Sequence, residues 1–246
     1  MGHATALIEV GGRRVLTDPL LRARLGHLRR HGTPPGDEIT EGIDAVLISH
    51  LHLDHLDPPS LKRIDPETEL IVPQGAGRML KRIGFPRTYE MTAGDEVRVK
   101  GLTITAVHAE HDGRRRPPRL GGDEADTLGF VIEGQGTRVY FAGDTDLYPG
   151  MEQEIGATDL ALLPVWGWGP TLGHGHMDPR SAAEAAARLK PRVAVPIHWG
   201  TFFPVGMARL PGDRLTAPPR EFERYAGEAA PGVDVRVLEP GESTDL

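Results

Sequence analysis

A run of four apolar residues, Ala45-Val46-Leu47-Ile48, carries the chain into Ser49-His50-Leu51-His52-Leu53-Asp54-His55, which sets four metal-capable side chains within six residues. Continuous apolarity predicts a strand buried on both faces, beneath helices on one side and a second sheet on the other. A strand that ends in such a cluster delivers imidazoles and a carboxylate to a loop able to fold around an ion. On extended backbone His50 and His52 point the same way, whereas Asp54 and His55 lie past a bend and can face a second ion. This spacing suits two ions better than one. The competing reading of the segment is a polar, solvated turn.

Composition narrows what such a cluster can be. Cysteine is absent, which excludes disulfide frameworks, thiolate-ligated metals and thiol nucleophiles, so any metal site must use His and carboxylates. With 28 Lys+Arg against 35 Asp+Glu, the formal charge of −7 argues against nucleic acid as a partner and favours a small molecule. A length of 246 residues suits one domain, and no linker divides the chain, so residues 1–246 are expected to form a single unit. No run approaches eighteen apolar residues, and the amino end, Met1-Gly2-His3-Ala4-Thr5, lacks the basic and apolar regions of a signal peptide. Ala6 also fails the myristoylation pattern. The expectation is a cytoplasmic protein without stable membrane insertion, with homo-oligomers left open.

Along the chain, residues 5–10 and 13–17 read as a hairpin about Gly11-Gly12, a pair suited to positive φ. Either the first strand begins at the terminus or a few residues precede Met1. Residues 20–42 carry Arg, His, Gly and Pro without a sustained period and read as a long loop with one helical turn. A β-α-β-α rhythm follows: a helix over 58–64, a strand over 70–72 and a helix over 77–83. Strands then dominate, at 96–100, 102–108, 129–133 and 138–142. The chain returns to a strand at 160–164, an alanine-rich helix at 181–189 after Asp178-Pro179, and an apolar strand at 193–197. Sheets with helices outside, in two halves, is the architecture implied.

The run from His50 to His55 resembles the His-x-His-x-Asp-His signature of metallo-β-lactamase-fold hydrolases. Gly2-His3-Ala4-Thr5, Leu16-Thr17-Asp18-Pro19, Phe141-Ala142-Gly143-Asp144-Thr145, His176-Met177-Asp178-Pro179 and Ile197-His198-Trp199-Gly200-Thr201 are similar to the branch that contains N-acyl phosphatidylethanolamine phospholipase D and L-ascorbate 6-phosphate lactonase. The resemblance implies an α+β fold, an αββα sandwich of two mixed sheets with helices on the outer faces. It also implies two divalent cations, zinc first, with manganese or iron as alternatives. His50, His52 and a third histidine would hold the first ion, Asp54, His55 and His198 the second, and Asp144 would bridge them. Imidazole and carboxylate suit all three metals, and a bridging carboxylate holds ions about 3.5–4 Å apart, a spacing that favours a shared hydroxide.

Val107-His108-Ala109-Glu110-His111-Asp112 offers two candidates for the third histidine, and the branch pattern favours His111. His108, within the strand alternation, is expected nearer the core. His176 matches a branch histidine near the reaction centre and would act with Asp54 in catalysis by donating a hydrogen bond or proton to the leaving group. The alternative for His176 is a structural cap before Pro179. His174, after Trp166-Gly167-Trp168-Gly169-Pro170, reads as a loop residue, His27 and His31 as solvated, and His3 as a support beneath the site. Arg114-Arg115-Arg116-Pro117-Pro118-Arg119 reads as a solvated loop or an anion clamp for an anionic substrate. The activity expected is hydrolysis of a phosphodiester or lactone-type bond. A catalytically silent metal-binding scaffold or sensor and a metallo-nuclease are the other readings.

Overall fold

Gly11 and Gly12 take φ of 59° and 71° and fold Leu7–Val10 (β1) back onto Arg13–Thr17 (β2) as an antiparallel hairpin. Only residues without a Cβ adopt this pair of angles at no steric cost, so the hairpin is set locally. The computed structural model describes residues 1–115, 124–167, 174–205, 213 and 215–246. The segment expected as a long loop instead contains Arg24–Leu25 (β3) and Leu28–Arg30 (β4), followed by the 3-10 turn Asp37–Thr40. Ala45–Leu47 (β5), Pro58–Leu61 (α1), Glu69–Pro73 (β6), Gly77–Arg82 (α2) and Thr88–Met91 (β7) complete the first half. They form a sheet of order β1-β2-β5-β6-β7, parallel from β2 onward.

The second half contains Glu96–Val99 (β8), Leu102–His108 (β9), Leu128–Gly134 (β10), Thr137–Phe141 (β11), Met151–Ile155 (α3), Leu160–Pro164 (β12), Pro179–Leu189 (α4) and Val193–Ile197 (β13). Phe202–Pro204 (β14), Ala217–Ala229 (α5) and Asp234–Val235 (β15) follow. The second sheet runs β15-β13-β12-β11-β10-β9-β8 and is mixed, antiparallel from β8 to β11 and parallel from β11 to β15. β14 pairs with β4 and β4 with β3 in a small third sheet.

Period-2 burial shows why the apolar strands need partners on both faces. Ala45 and Leu47 of β5 point into a layer shared with Ile104, Phe130, Ile132 and Phe141 of the second sheet. Val46 and Ile48 point the other way, onto Leu61 of α1 and Leu80 of α2. The second sheet repeats the arrangement, with Val131, Tyr140, Ala161 and Leu163 turned toward Met151 of α3, Ala182 and Ala186 of α4, and Phe222 of α5. Burying each large apolar side chain contributes about 1.5–3 kcal/mol, so this central layer outweighs weak local propensities. The result is helix, sheet, sheet, helix, as the sequence implied.

Asp178 starts α4 by accepting from the backbone N–H groups of Arg180 (2.9 Å) and Ser181 (2.8 Å), while Ser181 Oγ accepts from the Asp178 N–H (2.9 Å). This capping box places the helix start at Pro179, two residues before the expected one. α5 has only a weak helical signature in the sequence, because Pro218, Pro219 and Gly227 disfavour a helix. It forms by burying Phe222 and Ala226 against α4. β2 and β5 run parallel, and β9, β11 and β13 share one direction within their sheet. The loops after these strands emerge together along one edge of the sandwich, the usual place for a site in sheets with parallel strands.

Candidate metal centre

At that edge, His50 Nε2 and His52 Nδ1 stand 2.9 Å apart, and His111 Nε2 stands 3.1 Å from the same His52 nitrogen. Ligands about 2.05 Å from a tetrahedral ion lie about 3.3 Å from each other, so these three nitrogens are spaced to share one cation. The tautomer of His111 is set by its neighbour: Nδ1 lies 2.7 Å from the Gly175 carbonyl, which can only accept, leaving Nε2 for the ion. Gly175 must be glycine here. It has φ +90°, and a Cβ would lie 2.9 Å from His111 Nδ1.

Beside this trio, His55 Nε2 lies 3.2 Å and His198 Nε2 3.3 Å from Asp144 Oδ2, with Asp54 Oδ2 at 3.6 Å and 3.9 Å from the same two nitrogens. His198 Nδ1 donates to the Trp166 carbonyl at 2.5 Å, and His55 Nδ1 to Asp18 Oδ2 at 2.7 Å, so both rings turn Nε2 inward. Asp144 has an oxygen within 4.8 Å of ligand nitrogens of His50, His55, His111 and His176, and so stands between the two groups. His55 Nε2 and Asp144 Oδ1 are buried without a hydrogen-bond partner. Buried polar atoms rarely go unsatisfied, and a divalent cation would satisfy both. These residues therefore fit such an ion.

The charges point the same way. Burial holds His50 well below the usual histidine range, lowers His52, brings His111 to about 4 and His3 to about 3. A neutral imidazole is the ligand form. Burial also disfavours charge on His55, but Asp144, Asp54 and Asp18 outweigh it and raise its pKa well above the usual value. Asp54 and Asp144, which burial alone would raise, are held well below the carboxylate range, Asp54 chiefly by His55 and Asp144 chiefly by His198 and then His55. The pocket favours positive charge among its carboxylates.

This arrangement fixes the sign of a pH effect on the metal-free protein. His3, His50, His52 and His111 are neutral when folded and take up protons on unfolding, so their contribution to stability is lost as pH falls below about 6.5. Groups with raised pKa, His55 and His176, contribute stability that is already complete below that pH. The thermal midpoint of chelator-treated protein is expected to fall steadily from pH 6.5 to 4. A flat or rising midpoint across that window would contradict the assignment of neutral histidines.

In the sequence Asp18 stands out only as part of the run Leu16-Thr17-Asp18-Pro19. It is fully buried at φ 34° and accepts from the Ser49 N–H (2.7 Å), the Ser49 hydroxyl (2.6 Å) and His55 Nδ1. The signal was its place at the end of β2, beside the strand that leads into the ligand run. Gly143 clears the approach of the two loops, since a Cβ there would lie 2.6 Å from Ser49 Cβ. Arg115 also serves this loop, donating from Nη1 to the carbonyls of Leu51 (2.9 Å) and Leu56 (3.1 Å). Its neighbour Arg114 pairs with Asp112, so neither is a free anion clamp, and Arg116 and Arg119 lie outside the described residues.

His176 Nε2 stands 3.5 Å from Asp144 Oδ2 with its side chain 20% exposed. Gly167 leaves space for this ring, as a Cβ would meet His176 Cδ2 at 2.9 Å, whereas Trp168, Gly169 and Pro170 lie outside the described residues. His108, expected nearer the core, is exposed beside Glu110 because it is the last residue of β9. His174, His27 and His31 are exposed as well. A groove of about 830 Å³ beside His111 is lined by Glu110, Asp112, Glu124 and Asp126. Among the described residues, no helix is long and apolar enough to cross a membrane.

Residues 13–199 match the family described as beta-lactamase superfamily domain. A UPF0173 metal-dependent hydrolase of Methanopyrus kandleri is 33% identical, over 99% of this chain and 96% of its own length. One from Aeropyrum pernix is 32% identical, over 100% and 96%. Among solved structures, the metallo hydrolase Igni18 of Ignicoccus hospitalis aligns with a TM-score of 0.70 at 26% identity, covering 98% of this chain and 94% of that one.

Proposed function

We propose, on the premise that this chain belongs to the β-lactamase superfamily and to its UPF0173 metal-dependent hydrolases, that it hydrolyses a phosphodiester or lactone-type bond in a small molecule with two divalent cations. The observation that carries this reading is the place of Asp144, whose carboxylate faces His50 and His111 on one side and His55 and His198 on the other. Two bound cations would supply Lewis acidity toward the reacting centre and a nucleophile from water near neutral pH. His50, His52 and His111 would hold the first, Asp54, His55 and His198 the second, and Asp144 would contribute to both.

A leaving group needs a proton, and two histidines of the site have a raised pKa. His55 is wholly buried, whereas His176 is partly exposed, and although burial opposes its charge, the hydrogen bond it donates to Asp144 outweighs burial. His176 is the one that can hold a proton on Nε2 and meet a substrate there. The groove carries four carboxylates against Arg114, which pairs with one of them, and this acidic balance disfavours a polyanion and so the nuclease reading. A silent scaffold is disfavoured because every ligand position is filled.

Elemental analysis of the purified chain is expected to give two divalent ions, zinc first, then manganese or iron. A chromogenic phosphodiester and a panel of lactones, assayed with added zinc and manganese, then separate the two substrate classes. Fewer than two ions, or activity toward neither class, would overturn this reading. Asp144→Asn is expected to keep the fold, lose activity and loosen the second ion more than the first, because one negative charge between two cations is gone. Equal retention of both ions by Asp144→Asn would show that it does not bridge.

A further inference from the structure

The carboxylate of Asp54 has a partner outside the ligand set. His3 Nε2 lies 3.0 Å from Asp54 Oδ2, nearer than His55 Nε2 at 3.6 Å or His198 Nε2 at 3.9 Å. All four side chains lie close enough to share one ion, and what sets His3 apart is that 3.0 Å from an imidazole nitrogen to a carboxylate oxygen is also the length of a hydrogen bond, which 3.6 and 3.9 Å are not. The His3 ring is also packed at 4.0 Å from that of His198 and edge-on to Phe202 at 6.0 Å. Its backbone is tied to the same region. His3 N–H donates to Thr201 Oγ1 at 2.6 Å, and the His198 N–H donates to the His3 carbonyl at 2.9 Å.

These contacts join two ligands that reach the site from different sheets, Asp54 from the loop after β5 and His198 from the end of β13. His3 is held at φ 58°, a left-handed conformation uncommon for a residue with a side chain, and the preceding Gly2 at φ 100° leaves room for Thr201 and Pro240, since a Cβ there would collide with Thr201 Oγ1. A backbone bent so sharply to bring one imidazole against one carboxylate oxygen calls for a reason. We infer that His3 is a positioning residue for the second cation: its Nε2–H donates to Asp54 Oδ2 and aims the other lone pairs of the carboxylate at the ion, without ligating the ion itself.

The inference rests on the two-ion reading above, and metal affinity tests it without an assay of activity. Stepwise affinities are measured by competition with a chromogenic chelator, and the nitrogen count around cobalt by X-ray absorption. His3→Asn keeps a residue that tolerates positive φ but is too short to reach Asp54, and it is expected to weaken the second ion by about 10- to 100-fold and leave the first unchanged. His3→Gln, which restores an N–H at nearly the same reach, is expected to recover much of that loss with the wild-type nitrogen count. An unchanged second affinity in His3→Asn would overturn the inference alone. Loss of one nitrogen from cobalt in His3→Asn and His3→Gln alike, with no rescue by glutamine, would show His3 to be a ligand and overturn it as well. A wild-type chain that binds a single ion would remove the two-ion reading and this inference together.

Discussion

His176→Ala is expected to retain both metal ions and to slow turnover by about 10² to 10⁴, the range for loss of a general acid. The ring borders the site: its Nε2 is 3.5 Å from Asp144 Oδ2 and within reach of an ion shared with His111, but in the proposed assignment each ion draws its ligands from other residues. The loss should be largest for substrates with poor leaving groups, because a good leaving group departs without a proton. Gly167→Ala offers an independent approach, since the added Cβ would press on the His176 ring and should reproduce part of the defect with His176 still present. Full activity of His176→Ala on every hydrolysed substrate, including those with poor leaving groups, would reduce the residue to a cap before α4.

The second large effect is on stability. Asp18→Ala removes the acceptor for a backbone N–H, a hydroxyl and an imidazole, all without access to water. Breaking one side of such a buried arrangement costs about 3–5 kcal/mol, because the groups left behind stay desolvated and unpaired. For a chain of this length that corresponds to a fall of about 6 to 20 °C in the thermal midpoint of the metal-free protein. His55 loses the partner that fixes its tautomer, so affinity for the second ion should fall as well, by about 10- to 100-fold. Asp18→Asn, which can still accept from the Ser49 N–H, should lie between the two. A midpoint and metal affinity both unmoved in Asp18→Ala would show that neither Ser49 nor His55 depends on it.

The order of layers and most strands were legible in the sequence because apolar runs of four or five residues cannot be satisfied by one neighbour. The candidate ligands from His50 to His55 were legible for a local reason, as they are close together in the chain. His111, Asp144 and His198 were not visible from spacing and entered through resemblance, because what joins them is the common direction of β9, β11 and β13. Asp18 escaped for the same kind of reason: its partner His55 is 37 residues away and meets it only because β2 and β5 are neighbours. β3 and β4 are short and rich in arginine, and become strands through pairing with β14, a partner far along the chain. Composition reads Arg115 as part of a solvated loop or an anion clamp, and only the fold shows its guanidinium turned inward to backbone carbonyls.

The loops that meet at the edge of the sandwich arise from opposite halves of the molecule, His50 to His55 from the first sheet and His111, Asp144 and His198 from the second. An ion held by both would be a cross-brace between two slabs whose shared buried layer is built of apolar side chains. Such a brace binds the native arrangement and has little to hold in an unfolded chain, so its free energy of binding adds directly to that of folding, by about 2.7 kcal/mol when free metal is at one hundred times the dissociation constant. Metal supply then governs how long the chain survives as well as how fast it turns over, and a shortage would first unfasten the very edge at which a substrate arrives.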